Sequence, residues 1–159
     1  MTPDAKDSSG AAKTANQRGA ARLAAVQALY QMEVGHVSLE QTLSQFAAHH
    51  LGKEVEGEQY LPADADFFSQ IIKGVIRSQL EIDPLINARL SDEWPVGRID
   101  ATLRAILRSA AFELLKKPDI PENVIISEYL DVTRAFFDDD AVKLVNGVLE
   151  AIKKDRPAA

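Results

Sequence analysis

Nowhere in this 159-residue sequence do apolar and polar residues alternate with a period of two over a sustained stretch; where large apolar side chains recur, they recur every three or four positions. That spacing gathers them on one face of an α-helix and excludes a half-buried β-sheet as the organising element. Val142, Val145, Val148, Leu149 and Ile152 show it near the carboxyl end, and Ile99, Leu103, Ile106, Leu107, Ala110 and Leu114 show it before them. Phe67, Phe68, Ile71, Ile72, Val75 and Ile76 form a broader stripe earlier still. The chain is therefore read as all-α. At 46% apolar and 26% charged it has ordinary material for one compact domain.

Helix punctuation divides the chain into about seven helices. The first covers about 18–35, with Gly35 as the left-handed residue past its end. Ser38 and Gln41 make a capping box for the second, which carries Leu39, Leu43, Phe46, Ala47 and His50 and stops at Gly52. A polar, acidic loop fills 53–62. The third helix starts near Asp64. A short fourth takes in Ile82, Leu85, Ile86 and Leu90, with Pro84 confined to its first turn. The fifth, about 98–116, is stopped by Pro118. Pro121 opens the sixth as a first-turn proline, and Val124, Ile125, Tyr129, Val132, Phe136 and Phe137 are its apolar positions. The seventh follows Asp138, Asp139 and Asp140. Residues 1–17 have no large apolar side chain after Met1 and read as a flexible tail, leaving 18–159 as the helical domain. The Trp94-Pro95-Val96-Gly97 connector is the candidate divide between two helical halves, neither large enough to be a separate domain.

Several kinds of chemistry are excluded. With no cysteine there is no disulfide, thiolate metal site or cysteine nucleophile, which fits a reducing, cytoplasmic compartment. No apolar run approaches the roughly 18 residues that span a bilayer, and the amino end lacks the apolar core of a secretory signal. No glycine-rich phosphate loop is present. His49 and His50 are adjacent on a helix and point about 100° apart, so they do not converge on a metal. The Asp138–Asp140 run reads as helix-start chemistry: carboxylates there cap orphan N–H groups and favour the positive end of the helix dipole. No catalytic residue, metal or cofactor is expected.

Binding features are clearer. The net charge is −6, but basic blocks at 1–30, 98–117 and 141–159 alternate with acidic ones at 31–70 and 118–140. A basic patch assembled from the three basic blocks is one reading, and simple charge mixing on the surface is the other. Arg18 and Arg22, four apart, share a face at the start of the first helix and form an expected exposed strip. In the last helix Lys143, Asn146, Gly147, Glu150 and Lys154 lie off the core stripe, and Leu144 falls about 100° from Val145. A glycine inside a helix costs roughly 0.5–1 kcal/mol against alanine. Gly147 is thus expected to admit something close, either a neighbouring core helix or a ligand.

Two segments together carry a resemblance. Ala24-Ala25-Val26-Gln27-Ala28-Leu29-Tyr30 follows the arginine-bearing start, and Lys143-Leu144-Val145-Asn146-Gly147-Val148-Leu149 follows the aspartate-rich turn. Between them lie Ile99-Asp100 through Leu114 and then Ile120-Pro121. Over roughly 17–153 this order resembles the NusB family of transcription antitermination factors. The resemblance implies two packed three-helix bundles and binding of boxA RNA from ribosomal RNA leader transcripts together with the ribosomal protein NusE. It also implies association with NusA, NusG and RNA polymerase. It places Arg18 and Arg22 in an arginine-rich RNA-binding segment, with Gln27 and Tyr30 on the adjoining helix surface. Asp140, Lys143, Leu144 and Asn146 fall in a second RNA-facing segment, and Asp100 at a nearby position.

Cations for phosphates, apolar tips for bases and polar groups for base edges are what an unpaired strand requires. The sequence departs from the family where Gln17 and Gly19 interrupt the arginine run, where Leu144 replaces a common phenylalanine, and at Phe136-Phe137, where Phe-Gly is common. Weaker RNA binding by the isolated chain, and a stronger need for the protein partner, are expected. Two rival readings stand beside this one. The first is a stand-alone module related to the helical domain of ribosomal RNA cytosine methyltransferases, although no cofactor-binding α/β domain follows residue 153. The second is a protein-binding helical scaffold.

Overall fold

The computed structural model describes the backbone of residues 3–50 and 64–157 and the side chains of 15–48 and 64–157. All regular structure among the described residues is helical: α1 (Pro3–Gly35), α2 (Leu39–His50), α3 (Ala65–Asn87), α4 (Ala101–Lys116), α5 (Glu122–Phe136) and α6 (Asp139–Lys153). The all-α expectation holds, with six helices in place of seven. The expected end of the second helix at Gly52 and the acidic loop 53–62 lie outside the described residues.

The missing helix has merged into α3, which runs unbroken through Pro84. A proline inside a helix leaves the carbonyl four residues back without its usual partner. Here that carbonyl belongs to Leu80, whose side chain is 94% exposed, and Pro84 is exposed as well. The interruption faces solvent, where water satisfies it, and the helix continues. At the amino end α1 begins at Pro3, so the backbone is helical through the stretch where composition predicts a flexible tail. Alanines at 5, 11, 12 and 15 favour helix without requiring packing.

The chain forms two compact units, Met1–Gln70 and Ile71–Ala159, and the division falls inside α3 rather than at the Trp94–Gly97 connector. In the first unit, α1 buries Ala21, Ala24, Ala25 and Val26, and Phe46 of α2 stacks on Phe68 at 3.7 Å between ring centroids. Ser38 and Gln41 form the expected capping box: Gln41 N–H donates to Ser38 Oγ at 3.1 Å, and Ser38 N–H donates to Gln41 Oε1 at 3.2 Å. The left-handed residue after α1 is His36, with φ of 53°, while Gly35 is still helical. The helix thus ends one residue later than glycine placement predicts.

In the second unit α4 is buried on nearly every side, from Leu103 to Leu114, because α5 and α6 pack against it. Several of its polar groups are matched, while Ser109 Oγ is buried with no hydrogen-bond partner among the described residues. Arg104 Nη1 donates to the carbonyls of Val96 and Ile99 at 3.0 and 2.8 Å, tying down the connector. Arg108 makes a two-pronged pair with Asp83 at 2.9 and 2.8 Å. Buried Glu113 accepts from the Tyr129 hydroxyl. Pro121 takes the position before α5 rather than its first turn. Ile76, Val124 and Phe136, expected on apolar stripes, are exposed, so the core stripes are narrower than the sequence suggests.

Candidate nucleic-acid interface

Arg18 and Arg22 come from the same face of α1, and both guanidinium carbons lie 4.9 Å from the centre of the Phe67 ring. Phe67 is held by the start of α3: its N–H donates to Asp64 Oδ1 at 2.9 Å, while Asp64 N–H donates to the Gln17 carbonyl at 3.1 Å. The expected exposed strip is corrected at one position, since Arg22 is only 2% exposed. Its planar head lies over the ring, a geometry that suits arginine. Arg18 is half-buried, and its Nε is buried with no hydrogen-bond partner among the described residues. Farther along α1, Gln27 is exposed and Tyr30 is 39% exposed.

Between α1 and α2 lies a groove of about 210 Å³. Ala24, Ala28, Phe46 and Phe68 supply its apolar surface, Thr42 adds a buried hydroxyl already donated to the Ser38 carbonyl, and Gln27, Gln31 and Gln45 edge it. Of the three glutamines the resemblance singles out Gln27 alone. The four-residue spacing of Gln27 and Gln31 on an otherwise apolar helix was the legible signal for the second; nothing local pointed to Gln45.

In the second unit Asp140, Lys143, Leu144 and Asn146 are all exposed on α6, while Val145, Val148, Leu149 and Ile152 fill the core. Leu144 thus lies off the buried stripe, as its angle predicts. Gly147 is exposed and a β-carbon there would meet nothing within 4 Å among the described residues, so no described helix crosses closely there. Asp138 precedes α6 but makes no side-chain capping bond; what remains of the expected helix-start role is the charge of Asp139 and Asp140 in the first turn. Asp100 has a defined structural task. Its Oδ1 accepts from Thr102 N–H at 2.8 Å and Leu103 N–H at 3.2 Å, capping α4. Among the described residues no cluster of three or more metal-ligating side chains occurs, and no helix is long and apolar enough to cross a membrane.

The sequence matches the NusB family over residues 19–154. It is 52% identical over 149 residues to the transcription antitermination protein NusB of Rhizobium rhizogenes, spanning 94% of this chain and 93% of that protein. It is 56% identical over 142 residues to the protein of the same name from Rhizobium etli, spanning 89% of each. Among solved structures, NusB of T. maritima superposes with a TM-score of 0.71 at 30% identity, over 87% of this chain and 92% of that one. A chain from a complex of the antitermination factors NusB and NusE with double-stranded RNA superposes at 0.72 and 23% identity, over 87% and 97%. That last likeness speaks for the fold alone. The helical fold and these relatives define a class of transcription antitermination factors rather than of enzymes. The chain belongs to the NusB family.

Proposed function

We propose that this protein acts in the cytoplasm as an antitermination factor, binding boxA-type single-stranded RNA of ribosomal RNA leader transcripts together with NusE. NusA, NusG and RNA polymerase complete the assembly. The observation that carries this reading is the exposed face of α6. Lys143 offers a cation, with Leu144 as an apolar tip on one flank and Asn146 as an amide on the other, all outside the core. Those are the three chemistries an unpaired strand uses. Arg18 adds a second cationic point on α1, and Tyr30 a ring. Family membership along nearly the whole length of the curated relatives supports the same reading.

The experiment is a titration of boxA-type RNA with and without NusE over a range of salt. Neutralising about three to five phosphates predicts a log–log slope of roughly −2 to −3.5. The isolated chain is expected to bind weakly and the pair tightly. Absence of salt-dependent RNA binding in both states defeats the reading and leaves a protein-binding scaffold. Methyl transfer from S-adenosylmethionine would instead favour the methyltransferase relationship.

A further inference from the structure

The groove between α1 and α2 has an unusual lining for a surface depression. Its interior is apolar, from Ala24, Ala28, Phe46 and Phe68, and its edge carries three carboxamides, Gln27, Gln31 and Gln45. Among the described residues no charged side chain lines it. A carboxamide presents a donor pair and an acceptor side by side, which matches groups that carry both on one edge. At about 210 Å³ the groove falls below the roughly 300–1,000 Å³ of sites for drug-sized ligands, and suits a single planar ring system. The described lining holds no cation for a phosphate. An uncharged flat ring with an apolar face and a hydrogen-bonding edge is the ligand class that remains.

We propose that this groove receives one unpaired nucleobase, with its face on the alanine and phenylalanine surface and its edge read by Gln27, Gln31 and Gln45. The inference rests on the RNA reading above and deepens it. Gln27 and Tyr30 lie one helical turn apart on α1, so a strand that follows α1 past Tyr30 brings a base to the groove. Glutamine pairs two hydrogen bonds with an adenine edge most readily, which makes adenine the expected occupant.

The test measures binding of a boxA-type single-stranded RNA oligonucleotide to the full chain with NusE. The base is removed at one position at a time. One abasic position is expected to lose about tenfold in affinity against the wild type. The same substitution is expected to cost nothing further against Gln45→Ala or against Ala28→Leu, which fills the groove while keeping a good helix former. Circular dichroism on both variants confirms that they fold. Wild-type affinity in both variants, with RNA binding otherwise intact, overturns the groove and leaves the RNA reading standing. Loss of NusE association with unchanged RNA contribution assigns the groove to protein and overturns it as well. If the wild type binds no RNA at all, both readings fall together.

Discussion

The ring of Phe112 fills the space in which Gly74 would carry a β-carbon: that carbon would lie 2.1 Å from Phe112 Cε1 and 2.2 Å from Cζ. Gly74 on α3 therefore sets how closely α3 and α4 approach within the second unit. Phe112 is buried, so a displaced ring has to move among close-packed neighbours. Gly74→Ala is expected to destabilise by about 1–3 kcal/mol, the usual cost of overpacking, despite alanine's better helix propensity. Phe112→Leu in the same chain should recover part of the loss, so the two effects measured by urea unfolding will not add. Equal stability of Gly74→Ala and the parent would contradict the geometry.

The two arginines on Phe67 separate in their roles. Arg22 is buried against the ring and Arg18 is only partly covered. Arg22→Ala removes a buried stem and head together and is expected to lower stability by roughly 1–3 kcal/mol. Arg22→Lys should rescue little, because an ammonium lacks the planar face that rests on the ring. Lys143→Ala on α6 should leave stability within about 0.5 kcal/mol. Its effect is instead expected in RNA affinity, with the salt slope reduced in magnitude by about 0.7 for the one lost phosphate contact. Thermal unfolding and salt titration on the same variants separate the two. An Arg22→Ala protein as stable as the parent but weaker in RNA binding would place Arg22 among the RNA contacts after all.

Asp100 is where a structural task and an expected RNA role coincide. Its carboxylate already holds the first turn of α4. Asp100→Ala is expected to lose about 0.5–2 kcal/mol, and Asp100→Asn to retain most of it, since asparagine caps comparably. Any change in RNA affinity that survives in Asp100→Asn then reports charge rather than the cap. If alanine costs nothing in chemical denaturation, the cap contributes no stability.

What was legible in the sequence follows from the range of the interaction involved. Helix existence rests on local spacing, so five of the elements and the Ser38–Gln41 box could be read directly. Pro84 misled because its tolerance depends on which way the Leu80 carbonyl faces, a tertiary fact. Arg22 misled for the same reason: its covering ring, Phe67, is 45 positions away. Gly74 gave no local sign at all, since nothing in its own helix announces Phe112. The α6 positions were legible because exposure there is fixed by the helix's own period. The rim of the α1–α2 groove was only half legible, as Gln45 sits on a different helix from Gln27 and Gln31.

Gly147 joins both themes. Asp140, Lys143, Leu144 and Gly147 follow at three- and four-residue steps and share one exposed face of α6. Among the described residues no atom fills the space beside Gly147, so its presence costs helix stability with no packing there in return. Gly147→Ala is therefore expected to raise stability by about 0.5–1 kcal/mol. If RNA lies along this face, the added methyl stands where the strand approaches Lys143 and Leu144, and affinity should fall severalfold at constant salt. The combination of higher melting temperature and weaker RNA binding is the signature to look for. A stabilised variant that binds RNA as tightly as the parent would show that the strand does not approach α6 at this turn.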